Sequence, residues 1–342
     1  MSKLFRIAVT AVFLLSACTP VQTPASVPAA TEVPAAPTAA PTVIPTTPVA
    51  MNGKIRLALL PIVDALPIYA AKEKGYFAAL GIEVEFVPVA SAAERDQVMM
   101  AGQADGMIND LVSVMMYNRD SAQVRVVRTA RSASSKDAMY RVVANGQSGL
   151  KTPADLKGIE IGVSQGTVIE YMTYRLLEAE GLASEDVRTM VVPGISDRLS
   201  LLASGQIKAA TLPEPFATIA VQGGGVIVVD DTMHPELGNS VITFRKEFLD
   251  NNPAMVDGFM KALDQAVKDI NADPKGWAAV LRAYKLLPEP MIDAYVVPAF
   301  PESGVPTQDQ YEDAQEWALE KGLIQKVVPY SDSVKAQPKP SS

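Results

Sequence analysis

The chain has 342 residues, 48% hydrophobic and 20% charged, with 30 basic against 38 acidic side chains and a formal net charge of −8. That acidic balance disfavours nucleic acid as a partner, because such binding needs a basic face to displace counterions from phosphates. One cysteine and one histidine, Cys18 and His234, exclude an intrachain disulfide and a Cys/His zinc site, and a serine-type triad would have to use His234.

Residues 1–17 have the pattern of a secretory signal peptide. Lys3 and Arg6 precede an apolar run over 7–15 that is too short to span a bilayer. The run ends in Leu15-Ser16-Ala17-Cys18, which resembles the bacterial lipobox; the resemblance implies that Cys18 becomes a lipidated N-terminus holding the protein to a membrane. Residues 18–52 are rich in Pro, Thr and Ala, with eight prolines from Pro20 to Pro48 and Glu32 as the one charge. Proline fixes φ and donates no hydrogen bond, so this stretch is expected as an extended spacer. The tail, 335–342, is expected to be disordered.

Roughly 280 residues remain, enough for two lobes. Strands are predicted at 54–60, 83–88, 105–109, 124–129 and 140–144, with helices at 66–74, 92–101 and 111–118 between them. The pattern then restarts, with strands at 160–163, 187–192, 209–212 and 226–229 and helices at 153–156, 167–180, 196–204 and 215–222. Residues 240–244 form a returning strand, and from 245 to about 323 the chain is helical. Such alternation predicts an α/β fold with parallel sheets. One lobe comprises 53–139 and 245–330, the other 145–238, joined by two crossing strands at 140–144 and 240–244. Ligands of open α/β sheets bind beyond the carboxyl ends of the strands. Two facing lobes therefore place a ligand cleft between them, closed by hinge motion.

The loops at those strand ends supply the candidate binding residues. In the first lobe they are Asp64, a hydrogen-bond acceptor or a helix cap, Tyr69, which can stack on a flat ring, Ser91, Asn109 and Asp110. In the second they are Ser164, Gly166 and Thr167, where glycine and a helix N-terminus offer free N–H groups, then Tyr171, and Glu214 between two prolines. Met99, Met100, Met115 and Met116 are expected in the core. Trp277 and Trp317 are expected to pack, and His234 to lie in a loop.

Four segments carry a family resemblance. Residues 60–89 (LPIVDALPIYAAKEKGYFAALGIEVEFVPV), 101–110 (AGQADGMIND), 155–167 (DLKGIEIGVSQGT) and 204–216 (SGQIKAATLPEPF) resemble, in order, the substrate-binding proteins of bacterial ABC importers. That group handles thiamine-pyrimidine precursors, riboflavin, sulfonates, taurine and nitrate. The resemblance implies the two-lobed type II periplasmic-binding-protein fold, an extracytoplasmic location, and delivery of a small-molecule solute to a membrane permease and its ATPase. It implies no cofactor and no catalysis. Asp64, Asp110 and Glu214, with Glu170 nearby, suit a donor-rich heteroaromatic solute, riboflavin first and the thiamine pyrimidine second. The alternative is a sulfonate, taurine or nitrate site, for which Arg131 and Arg198 are the cations within reach of the cleft. An alternative of another class is an enzyme similar to the eukaryotic relatives that make the thiamine pyrimidine and consume an active-site histidine; His234 lies outside the cleft loops. A third is a lipid-anchored adhesion or structural protein.

Overall fold

The computed structural model describes residues 53–335. The signal segment, Cys18 with its spacer, and residues 336–342 lie outside the described residues. The first run comprises β1 (Gly53–Leu59), α1 (Leu66–Glu73), α2 (Tyr76–Ala79), β2 (Ile82–Pro88), α3 (Ala92–Met100), β3 (Gly106–Asn109), α4 (Leu111–Asn118) and β4 (Val124–Ser132). The second comprises β5 (Tyr140–Ala144), β6 (Glu160–Val163), α5 (Val168–Ala179), β7 (Arg188–Val191), α6 (Ile195–Ala203), β8 (Ala209–Pro213), α7 (Phe216–Gln222) and β9 (Val226–Asp230). The chain returns through β10 (Asn239–Arg245) and ends in α8 (Lys246–Asn251), α9 (Pro253–Ala272), α10 (Ala278–Ala283), α11 (Glu289–Ile292), α12 (Gln308–Glu320) and α13 (Tyr330–Ser333).

Two five-stranded sheets result, in the orders β2-β1-β3-β10-β4 and β7-β6-β8-β5-β9. The orders are equivalent: β2 corresponds to β7, β1 to β6, β3 to β8, and β10 to β5. Neither sheet is wholly parallel, contrary to expectation, because β10 and β5 run antiparallel to both of their neighbours. Each arrives from the other lobe and lies between two strands of the sheet it joins, β10 between the earlier β3 and β4 and β5 between the later β8 and β9, which pairs its backbone on both sides. The strands expected to cross are thus sheet members, and the crossings themselves, 133–139 and 231–238, contain no strand. Strand sequence follows position in the sheet. Edge strand β2 alternates exposed glutamates with buried aliphatics, whereas β3 and β8 are buried along their whole length.

Behind the first sheet, α1, α2 and α9 close one core, with Phe77 stacked on Phe259 at 5.0 Å. A second core runs through both lobes, joining Met107, Leu111 and Met115 to Ile169, Met172 and Leu176 and to Tyr311 and Trp317. Helix α12 packs on α4, and its Trp317 lies edge-on to Tyr171 of α5 at 5.7 Å. Helix α12 therefore straps both lobes. Met99 and Met115 are buried as expected, but Met100 is 75% exposed. Lys335, expected in the tail, belongs to the fold and donates to the Val126 carbonyl at 2.8 Å. Among the described residues no helix is long and apolar enough to cross a membrane.

Gly106 shows how tightly the first sheet packs. A Cβ there would lie 2.8 Å from Phe244 Cδ1 and 3.0 Å from Leu57 Cδ2. Gly106→Ala is expected to lower unfolding free energy by about 1–3 kcal/mol through overpacking, read from the urea midpoint at unchanged slope.

Candidate functional site

A cavity of about 40 Å³ lies where the carboxyl ends of the two sheets face each other. Of the residues expected there, Asp64, Asn109, Asp110 and Ser164 line it. Asp64 neither caps a helix nor stands free. It accepts from Arg131 Nη1 at 3.2 Å and from Ser240 Oγ at 2.7 Å. Asn109 donates to Ser113 Oγ at 3.1 Å and accepts from Thr243 Oγ1 at 2.6 Å. Asp110 caps α4 through the Ser113 N–H and pairs with Arg95 Nη2 at 3.3 Å. Burial pushes its carboxyl above the usual range, and Arg95 opposes the rise.

The other candidates lie elsewhere. Tyr69 stacks on Tyr284 at 4.0 Å and meets Phe86 edge-on, beside a separate surface hollow; burial pushes its hydroxyl up to about 12. Ser91 caps α3 through the Glu94 N–H. Thr167 caps α5 through Ile169 and donates to the Ser164 carbonyl. The Gly166 N–H, which a solute could have used, is taken by Glu170 at 2.8 Å. Tyr171 donates to Asp313 in the α5–α12 contact. Glu214 pairs with Arg141 at 2.7 Å. His234 sits on the return crossing against Glu180, away from the cavity lining. The carboxylates expected to accept from a donor-rich ring are thus already engaged, Asp64, Asp110 and Glu214 by arginines from other elements and Glu170 by a backbone amide.

Two arginines complete the cavity wall, Arg95 and Arg198. Each is the fourth residue of its helix, α3 or α6, and those helices follow the equivalent edge strands β2 and β7. Their surroundings differ. Arg95 is neutralised by Asp96 at 2.9 Å and by Asp110. Arg198 is 0% exposed and, among the described residues, donates only to carbonyls, those of Thr211, Val192 and Pro193. Its Nη2 has no partner among the described residues. Desolvation pulls its guanidinium down to about 10, and Asp197 opposes this only from beyond ion-pair distance. The helix starts differ as well. Ser91 and Glu94 cap α3, whereas α6 begins at Gly194 with no side-chain cap. The second lobe therefore presents a buried cation with no ion-paired carboxylate among the described residues, beside a helix N-terminus with no side-chain cap, an arrangement complementary to an anion.

Arg95 was not among the sequence candidates, although two signals mark it. Ala92, Arg95 and Met99 form the buried stripe of α3, as Ile195, Arg198 and Leu202 form that of α6; an arginine in an apolar stripe has to be held by something. The second signal is internal repetition. Glu94-Arg95 and Asp197-Arg198 stand at the same distance before Gly102-Gln103 and Gly205-Gln206, and both glycines adopt positive φ, +68° and +72°.

The NMT1/THI5-like family model matches residues 63–276. A putative aliphatic sulfonates-binding protein of Escherichia coli (strain K12) is 25% identical over 150 residues, 44% of this chain and 46% of that protein. The nitrate/nitrite binding protein NrtA of Nostoc sp. is 22% identical over 242 residues, 64% of this chain and 54% of that protein. The chain spans about half the length of these curated relatives. Among solved structures, the alkanesulfonate-binding protein SsuA from Xanthomonas axonopodis pv. citri, bound to MOPS, superposes with a TM-score of 0.69 at 17% identity. The match covers 82% of this chain and 98% of that one. The matched segment contains both lobes' equivalent arginines, and the chain belongs to the NMT1/THI5-like family with the two-lobed type II periplasmic-binding-protein fold.

Proposed function

We propose that this protein is the solute-binding component of an ABC importer and captures a small oxyanion of the sulfonate or nitrate class. Arg198 carries the reading. A guanidinium buried with one nitrogen unsatisfied costs free energy until an anion reaches it, and a bound oxyanion recovers that cost at closure. The first amides of α6 add donors at the same wall. The relatives named for sulfonates and for nitrate support this chemistry. A heteroaromatic vitamin fits less well, because the carboxylates that favoured it are occupied. The solute would pass to a membrane permease and its ATPase, with the lobes held outside the cytoplasm by lipid on Cys18, a residue outside the described region.

Isothermal titration with nitrate, methanesulfonate, taurine, riboflavin and hydroxymethylpyrimidine tests the class. Micromolar or tighter binding of an oxyanion with no heat from the ring compounds is the expected result. Binding of riboflavin without any oxyanion response would overturn it.

A further inference from the structure

The two crossings between the lobes are tied together at one carboxyl. Asp231 begins the return crossing and is 0% exposed. It accepts from the N–H of Met139 at 2.9 Å and of Tyr140 at 3.2 Å, where the outgoing crossing meets β5. The surroundings leave it no slack. A Cβ on Gly238 would lie 2.1 Å from Asp231 Oδ2, and the Ala133 N–H donates to the Gly238 carbonyl at 2.7 Å, joining the crossings a second time. Tyr140 also lines the interlobe cavity. Movement of one lobe against the other has to bend these segments, so Asp231 sits at the hinge and one residue from the cleft.

We infer that Asp231 is the latch of this hinge and that its carboxyl exchanges a proton with solvent as the lobes open and close. Three charged or titratable groups face it: Asp230 beside it on β9, Arg131 from β4 and Tyr140 from β5. Burial pushes the Asp231 carboxyl up to about 7, against the pull of the two amides and of Arg131. Parting the lobes brings water to Tyr140 and its neighbour, and a hydrated aspartate titrates near 4. The raised value is that of the carboxyl as it is buried here. Its contribution to closure is therefore complete below about pH 4 and is lost as pH rises through about 7. Closed lobes are favoured at acid pH and open lobes at alkaline pH, whatever the solute.

Hydrogen exchange at the Met139 and Tyr140 amides of the solute-free chain tests this, after correction for the intrinsic pH dependence of exchange. The opening of these amides is expected to increase about tenfold or more between pH 5 and pH 8. It is expected to stay flat in Asp231→Asn and to keep the parental slope in Asp137→Asn, a change at an exposed carboxylate of the same crossing. A flat parental profile, or an unchanged slope in Asp231→Asn, would overturn the inference. Should Asp231→Asn fail to fold, the carboxyl ¹³C shift of Asp231 in the parental chain decides: a midpoint near 7 supports the latch and one near 4 refutes it.

Discussion

Arg198→Met is expected to weaken oxyanion binding about 100-fold or more, equivalent to roughly 3 kcal/mol, the scale of removing one partner of a buried charge pair. The same substitution should leave thermal stability unchanged or raise it. Arg198 is a fully buried cation with no carboxylate at ion-pair distance among the described residues, and replacing such a charge with an apolar side chain of similar length removes a desolvation cost. The opposite signs separate a binding role from a packing role. Calorimetric titration with nitrate or methanesulfonate reads the first, and thermal unfolding without solute reads the second. A parallel loss of both would identify Arg198 as a structural residue whose three carbonyl bonds hold α6 to β8 and to the segment that follows β7.

Asp64→Ala is expected to lower unfolding free energy by about 3–5 kcal/mol. The change strands Arg131, whose side chain is 3% exposed and, among the described residues, otherwise keeps only the Ala138 carbonyl as a hydrogen-bond acceptor. In a protein of this size the unfolding temperature should fall on the order of 10 °C. The double change Asp64→Ala with Arg131→Met removes both charges and should recover most of the loss, because the penalty lies in the unpaired partner. Equal instability of the single and double variants would show that Asp64 acts through Ser240, from which it accepts at 2.7 Å.

The elements of this fold were legible because their signals are local. β2 alternates, β3 and β8 are short apolar runs before polar loops, and α9 carries a long apolar stripe. Sheet direction was less so. Nothing near 140–144 or 240–244 says that each strand enters antiparallel between strands of another lobe, since that depends on strands far away in the sequence. The contact of α12 with α4 and α5 was hidden for the same reason.

The site divides along the same line. Placing Asp64, Asn109, Asp110 and Ser164 at the cleft needed only the rule that ligands meet strand ends. The state of the carboxylates was not local. Asp64 meets Arg131 across 67 positions, Glu214 meets Arg141 from a neighbouring strand, and such partners turn an apparent ligand acceptor into a satisfied ion pair. Local capping accounted for Ser91 and Thr167. Arg198 was visible as a cation within reach, but its importance rests on having no ion-paired carboxylate among the described residues. In the first lobe Asp110 neutralises Arg95, whereas in the second Glu214 turns to Arg141 instead.

A crystal structure of the protein grown with nitrate or methanesulfonate tests the central claim most directly. An oxyanion oxygen is expected about 2.7–2.9 Å from Arg198 Nη2, enclosed between the lobes and beside the first turn of α6. Arg198 left without a ligand while the anion binds elsewhere, or Nη2 turned to a carboxylate of the protein, would contradict it.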